Sequence, residues 1–454
     1  MTIPTTRSLR TAALLALLPL GACGLLDTDQ PNIVDPGAIN SPEGAQALAL
    51  GALADFAFAK DGDGTQFDDG LILAGGLLSD EFIHSTTPPS QQEVDQRTTA
   101  IINPTLSDVY RNLHKARVGL ENAAAALRQY LLEPDETTDI AEMRTLAGYT
   151  YVYFGETFCS GVPFSRVSGD SLIFGNPETT AQIFERALTR FDEAVAEPGL
   201  ALDDGTITNL AAVGRARALI GLGRFAEAAA AVATVPTEFV YVTEHAESPL
   251  RVQNAIWSYT NGGLWSVADV EGGVGLPYRS ALDSRVPIDS IDDDGDGFAD
   301  TGLDSFTPQY SLQKFPDASA PVPVGDGIEA RLIEAEAQLQ GGDLSGMTTT
   351  LNDLRDAFPD LLLGPPLADP GSAEAGEDLL FAERAFWLYA TGHRLGDMRR
   401  LVRPAPLGYG RPVDTVFPIG DYHKAGSYGS DVNFPLPIEE ENNPNSAGCL
   451  DRNP

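Results

Sequence analysis

Residues 209–233 read NLAAVGRARALIGLGRFAEAAAAVA. Leu210 to Leu222 carries apolar and small residues at helical spacing, Gly223-Arg224 supplies a turn, and Phe225 to Val232 resumes the helix. Small side chains let two such helices approach closely, with Phe225 and the alanines filling the groove between them. The same design returns downstream. Ile328 to Gln340 (IEARLIEAEAQLQ) is followed by Gly341-Gly342-Asp343 and then by Leu344 to Phe358. Two helical hairpins about 120 residues apart predict a mainly α chain with a large insertion between them.

Each hairpin has the look of a tetratricopeptide (TPR) unit, but no clean 34-residue period runs through the chain, so a regular solenoid is not expected. Working toward the N-terminus, Pro177 to Ala196 reads as a helix with Asn176 as its cap and Ile183, Ala187, Leu188, Phe191 and Ala194 at helical spacing. Ile140 to Phe158 is a helical stretch rich in aromatics. Val109 to Tyr130 places Leu113, Ala116, Leu120, Ala123 and Leu127 on one stripe. Ser41 and Pro42 cap and open a helix through Ala45 to Ala59. On the C-terminal side, Asp378 to Leu401 reads as a further helix. The helical scaffold is thus expected over 41–235 and 326–403 of one domain spanning 41–454. The insertion, 236–325, is rich in Gly and Pro and reads as loops and short strands, and the tail, 404–454, is again loop-like.

The first residues carry a different signal. Arg7 and Arg10 precede an apolar run from Ala12 to Leu20, which closes on Leu20-Gly21-Ala22-Cys23. This is the layout of a bacterial secretory signal, and a cysteine directly after the small residues makes it a lipobox. Residues 1–22 are expected to be removed, Cys23 to carry lipid, and 23–40 to form a tether. The apolar run is short of the ~20 residues a membrane-spanning helix needs. The chain of 454 residues has a formal charge of −36 and 43% hydrophobic residues. It should therefore fold around a large core and repel nucleic acid and anionic membrane surfaces. Of its three cysteines, Cys23 is taken by lipid. Cys159 and Cys449 are the candidate disulfide in an oxidising compartment, with two buried free thiols as the alternative.

Several segments, in order, resemble the SusD/RagB family of outer-membrane nutrient-binding lipoproteins. They are Ser79-Asp80-Glu81, Gly155-Glu156-Thr157-Phe158 with Val162-Pro163-Phe164, and Ile333-Glu334-Ala335-Glu336-Ala337. The most specific is Glu383-Arg384-Ala385-Phe386-Trp387 through Gly392-His393-Arg394-Leu395-Gly396-Asp397-Met398-Arg399-Arg400, which is similar to the family's C-terminal signature. Phe434-Pro435-Leu436-Pro437-Ile438 and Asn442-Asn443-Pro444-Asn445 resemble its closing motif. The resemblance implies a mainly α, SusD-like fold in which TPR-like hairpins support a loop-rich, ligand-facing insertion. It also implies a non-enzymatic, cell-surface role at the outer membrane, capturing an oligosaccharide or peptide-like nutrient and delivering it to a SusC-like TonB-dependent transporter. Ligand-contacting residues vary with substrate in that family, so none is carried over by motif.

Three constellations are candidates for chemistry. Asp292, Asp294 and Asp296 stand at positions 1, 3 and 5 of an acidic loop, with Phe298 able to offer a carbonyl and Asp300 at position 9. Calcium takes ~6–8 oxygens at such spacing, but position 12 is Leu303, and a solvated acidic turn is the alternative. Trp257, Tyr259, Trp265 and Tyr278 lie in the Gly-rich insertion, where rings can stack on the apolar faces of sugars or pack the loops onto the scaffold. His393 has no nucleophile motif beside it and reads as part of a packing helix, with Arg394 and Asp397 as an ion pair. Two other readings stay open: a lipid-anchored helical glycan hydrolase, which would need a carboxylate pair ~5–9.5 Å apart, and a TPR-type envelope assembly scaffold.

Overall fold

A computed structural model of the chain describes residues 40–66, 69–168, 171–290 and 299–453. The signal, the lipidation residue Cys23 and nearly all of the tether lie outside the described residues. The elements run α1 (Pro42–Asp61), α2 (Leu71–Leu78), β1 (Phe82–His84), α3 (Pro89–Asp95), α4 (Pro104–Tyr130), α5 (Asp139–Thr157), β2 (Val162–Pro163), β3 (Arg166–Ser168), β4 (Ser171–Ile173), β5 (Pro177–Glu178) and α6 (Thr180–Val195). After these come α7 (Thr206–Gly221), α8 (Phe225–Val232), β6 (Val240–Thr243), α9 (Ala255–Asn261), β7 (Trp265–Val267), β8 (Ile288–Ser290), β9 (Tyr310–Leu312), β10 (Val322–Asp326), α10 (Gly327–Gln340), α11 (Leu344–Asp356), α12 (Ala373–Trp387) and α13 (Arg394–Val402). The described strands pair two by two, all antiparallel: β1–β7, β2–β5, β3–β4, β6–β10 and β8–β9. The fold is mainly α, as the hairpins predicted.

Both predicted hairpins form, as α7–α8 and α10–α11. The turn between α7 and α8 uses Gly223 at φ 72°, a left-handed conformation that glycine adopts without steric penalty. α1 and α4 lie antiparallel, with Lys115 Nζ 2.7 Å from Asp55 Oδ1 and Tyr130 Oη 3.0 Å from Asn40 Oδ1. The closest helix contacts come from a matched spacing of seven. Phe184 and Phe191 on α6 wedge between Gly155 and Gly148 of α5 on one side and Gly221 and Gly214 of α7 on the other. A Cβ on Gly148 or Gly214 would sit 2.7 or 2.5 Å from the Phe191 ring, so only glycine admits this approach.

Several boundaries differ from the sequence reading: α4 starts at Pro104 and not at Val109, behind the cap Asn103, and α7 at Thr206 and not at Leu210. α6 starts at Thr180 and not at Pro177, because Thr179 and Gln182 form a capping box: Gln182 N donates to Thr179 Oγ1 and Thr179 N donates to Gln182 Oε1. Pro177-Glu178 pairs instead with Val162-Pro163 as β5. The single helix expected over 378–401 is two helices. Ala390 and Gly392 take φ 55° and 80°, which ends α12 and reorients the chain before α13.

The residues of the C-terminal signature line a buried ionic network. Arg384 donates to both carboxylate oxygens of Asp397 at 2.8 and 2.9 Å. Arg400 donates to both oxygens of Glu336 at 3.0 and 2.9 Å, and to Asp397 at 2.9 Å. Arg217 on α7 grips Glu156 on α5 at 2.8 and 2.6 Å. The expected Arg394–Asp397 pair does not form. Asp397 is taken by Arg384 and Arg400, and Arg394 reaches Asp80 instead. His393 is buried against Arg217 Nη1 (2.8 Å), Glu329 Oε1 (3.2 Å) and Thr391 Oγ1 (2.8 Å), and burial holds its pKa well below the usual histidine range. Cys159 and Cys449 are bonded, with Cα atoms 5.7 Å apart, fastening the tail to the end of α5.

Candidate ligand-binding site

The structure distributes the four expected platform aromatics unevenly. Tyr259, Trp265 and Tyr278 are fully buried. Trp265, on β7, packs edge-on to Tyr259 (ring centres 5.1 Å apart) and beside Phe82 (6.2 Å). Tyr278 packs against Tyr389 at 4.7 Å and Phe386 at 5.3 Å. None of these three rings presents a face to solvent, which corrects the reading of them as a stacking platform. The physical reason is that the insertion is less irregular than its glycines suggest. Asn254 caps α9 by accepting from Trp257 N at 3.1 Å, and β7 pairs with β1, so Tyr259 and Trp265 face the core. Trp257 alone stays half-buried.

Of the acidic-loop residues, Asp292, Asp294, Asp296 and Phe298 lie outside the described residues. The described Asp300 accepts from Gln309 N through its carbonyl at 2.7 Å. Among the described residues no group of three or more His, Cys, Asp or Glu side chains could hold a metal ion.

The structure does bring together polar groups from four separate loops. His84 ends β1 and donates its backbone N–H to Asp95 Oδ2 at 2.8 Å, at the end of α3. Tyr422, from the C-terminal tail, donates to the same oxygen at 2.7 Å. Six residues on, Tyr428 donates to Glu271 in the insertion, and the Tyr422 and Tyr428 rings meet edge to face at 5.4 Å. Burial pushes the carboxyls of Asp95 and Glu271 upward, the neighbouring Asp95 charge adds to the rise at Glu271, and both favour the protonated form. Lys424 pairs with Asp304 at 2.9 Å, donates to Thr86 O at 2.6 Å and lies 2.9 Å from His84 Nδ1. Burial, then the Lys424 charge, lowers His84 to about 3. Its imidazole is neutral, with the Gln91 side chain beside it, and Nδ1 of His423 lies 3.9 Å from Asp95 Oδ2.

The loops carrying this cluster are strained and partly apolar on the outside. Val270, Leu282 and Ser305 hold φ of 53°, 52° and 57°, a region unfavourable for side chains other than glycine. Phe306 is 61% exposed, and Val270, Leu282 and Ile419 are exposed with it. His84, Asp95, Glu271 and Tyr422 are buried, so the surface of the cluster offers the half-buried Tyr428, His423 and Lys424 and the open ring of Phe306. This is hydrogen-bonding and stacking chemistry. None of these residues stood out in sequence. The signal that was available is Tyr422-His423-Lys424 and Tyr428 in a Gly- and Ser-rich stretch, the same pattern that drew notice to the insertion.

No protein-family model matches the chain, and no curated protein matches it in sequence. Its fold is that of the SusD superfamily. A SusD superfamily protein from Bacteroides fragilis superposes with a TM-score of 0.64, covering 90% of this chain and 99% of that one at 15% identity. Surface glycan-binding protein A from Bacteroides uniformis gives a TM-score of 0.64 over 90% and 99% of the two chains at 14% identity. A SusD-like carbohydrate-binding protein from Bacteroides fragilis gives 0.58 over 79% and 86%, at 14% identity. Among the described residues no helix is long and apolar enough to cross a membrane.

Proposed function

We propose that this chain is a lipid-anchored, surface-exposed glycan-binding protein that passes its ligand to a SusC-like TonB-dependent transporter in the outer membrane. The observation that carries the reading is the whole-length likeness to SusD-superfamily structures, one of them a surface glycan-binding protein. The lipobox ending at Cys23 supplies the anchor. The loop cluster supplies a chemically suitable face: over the buried His84, Asp95, Glu271 and Tyr422, the half-buried Tyr428, His423 and Lys424 give polar groups for sugar hydroxyls, and Phe306 gives a ring for a sugar's C–H face. Holding binding protein and transporter together raises the effective ligand concentration, so each contact can be weak. Calcium at Asp292, Asp294, Asp296, Phe298 and Asp300 belongs to the same proposal, as a brace for the loop leading into Phe306.

The test is purification of the native lipoprotein in mild detergent, followed by a glycan array on whatever is recovered. A stoichiometric β-barrel partner and saturable glycan binding, lost on Phe306→Ala, are expected. Recovery of the lipoprotein alone, with no glycan retained, overturns the reading.

A further inference from the structure

The tail crosses the loop cluster as a flap. Residues 418–431 leave the body and return to it at one point, Arg97. Its Nε donates to Asp431 O at 2.8 Å, its Nη1 donates to Pro418 O, and its own carbonyl accepts from Asp431 N at 3.2 Å. Arg97 is buried, stacks 4.8 Å from the Phe417 ring centre and holds φ 60°, a conformation kept only where the surroundings enforce it. Between these ends the segment closes on itself. Tyr422 N donates to Gly426 O and Tyr428 N to Gly420 O, both at 3.0 Å, and Gly420 and Gly426 take φ 77° and 83°. A self-bonded loop with a pinned neck is the geometry of an Ω-loop. Its tip, Ala425-Gly426-Ser427, is exposed.

The underside of the flap rests on two acids. Tyr422 donates to Asp95 at 2.7 Å, at the end of α3, and Tyr428 donates to Glu271 in the insertion. The two carboxyl-bearing residues are 2% and 7% exposed. Facing Asp95 are His84 on β1, His423 and Lys424 on the flap, and Glu271. Burial holds both imidazoles neutral, His84 at about 3 and His423 at about 4, and Lys424 is matched with Asp304 at 2.9 Å. Facing Glu271 are Asp95, Asp80 and Arg279. Arg394 takes Asp80 at 2.6 and 2.8 Å, and the Arg279 guanidinium lies 4.1 Å from the Tyr310 ring centre. Among the described residues neither acid forms an ion pair with an arginine or lysine. A buried carboxyl without a cation is at ease only while it keeps its proton.

We infer that this flap is a pH-operated latch: the two tyrosine–carboxyl clasps hold it shut while the acids are protonated, and it opens about Arg97 as they ionise. Burial lifts Asp95 to about 7, against the bonds from His84 N and Tyr422, and burial with the Asp95 charge lifts Glu271 well above its ordinary 4.5. With the flap open, both acids meet water and return toward the ordinary carboxyl range of about 4. The closed form therefore holds protons that the open form releases. Closure is firmest in acid and weakens as pH rises through neutral. Tyr428, His423 and Lys424 travel with the flap, so a glycan held across this face is gripped below neutral pH and freed above it. That consequence rests on the glycan reading; the latch itself does not.

The test is amide hydrogen exchange on the full chain at pH 5, 7 and 8.5, each rate referred to the intrinsic rate at that pH. The amides of Gly429, bonded to Gln96 O at 2.8 Å, and of His84, bonded to Asp95 at 2.8 Å, read closure, and those of α7 read the body. Protection at Gly429 and His84 is expected to fall tenfold or more, relative to α7, from pH 5 to pH 8.5. Asp95→Asn with Glu271→Gln keeps the acceptors and removes the titration, so it should hold its protection across the range; circular dichroism checks that it folds. Tyr428→Phe leaves both acids in place and cuts one clasp, so its protection should already be low at pH 5. Protection independent of pH in the natural chain, the same decline in the double variant, or no effect of Tyr428→Phe overturns the inference. No glycan enters the measurement, so failure of the latch and failure of the glycan reading are told apart.

Discussion

Arg394 and Asp80 are 314 residues apart in sequence and share two hydrogen bonds, 2.6 and 2.8 Å, at a site closed to solvent. The same carboxylate accepts from Leu276 N at 2.9 Å. One acid thus ties together the turn after α2, the insertion and the start of α13. Removing one partner leaves the other as an uncompensated buried charge. Arg394→Ala or Asp80→Ala should each destabilise the chain by about 3–5 kcal/mol in denaturant titration. The double change Asp80→Leu with Arg394→Met should cost less than either single change. If the single changes prove neutral, the pair contributes nothing to the fold.

The α5–α6–α7 layer depends on absent side chains. Gly214→Ala places a methyl 2.5 Å from Phe191 and 2.7 Å from Tyr149. Overpacking of this kind costs about 1–3 kcal/mol. The thermal midpoint should fall accordingly, and Phe191→Leu in the same chain should restore part of the loss, because a smaller neighbour accepts the methyl. A midpoint unchanged by Gly214→Ala would mean that α6 shifts freely, against the wedge geometry.

Acidity at the core sets opposite slopes at the two ends of the pH scale. Burial pushes the Glu81 carboxyl up to about 8, only partly offset by its bond from Ala390 N at 2.9 Å. Between the unfolded value of 4.5 and about 8 the folded state holds a proton that the unfolded state has released. Stability from this group therefore declines as pH rises through that window, by a few kcal/mol in all. Glu81→Gln should flatten the decline. Asp397 works the other way. Burial alone would raise it, but Arg384 and then Arg400 hold it well below the carboxylate range. Its contribution is complete above the unfolded value and is lost as pH falls. Thermal midpoints measured from pH 3 to pH 9, with Glu81→Gln and Asp397→Asn alongside, read both slopes.

The acidic loop gives a direct metal prediction. Calcium at millimolar concentration should raise the thermal midpoint of the chain, magnesium should do so much less, and Asp294→Asn should abolish the difference. Equal midpoints with calcium and with chelator would remove calcium from the proposal.

Much of the scaffold was legible because its signals are local. Helical hairpins announce themselves through apolar spacing and a glycine at the turn, and Ser41-Pro42 marked a helix start that the structure keeps, with Gly44 N donating to Ser41 Oγ at 3.0 Å. Where two local signals competed, the reading slipped: Asn176-Pro177 looked like a helix start, yet the reciprocal cap at Thr179 and Gln182 prevailed. What could not be read was anything set by distant chain. Asp397 has an arginine three residues away on each side; it bonds Arg400 and the more distant Arg384, while Arg394 turns to Asp80. Aromatics among glycines looked exposed, but Trp265 and Tyr278 are enclosed by Phe82, Phe386 and Tyr389 from remote segments. The loop cluster escaped notice for the same reason, since it draws on the tail and on loops hundreds of residues earlier.

The bond between Cys159 and Cys449 turns the chain's final geometry into a record of where it has been. The tail it fastens carries Tyr422 and Tyr428 to one face and Glu439 and Glu440 to another. Polypeptide kept among reducing thiols can build its helices and still lack that closing stitch. Export, as proposed for this chain, then does more than relocate it. It supplies the oxidant for the last fastening, so a copy retained in the cytoplasm should be recognisable by a protease-sensitive tail on an otherwise finished body.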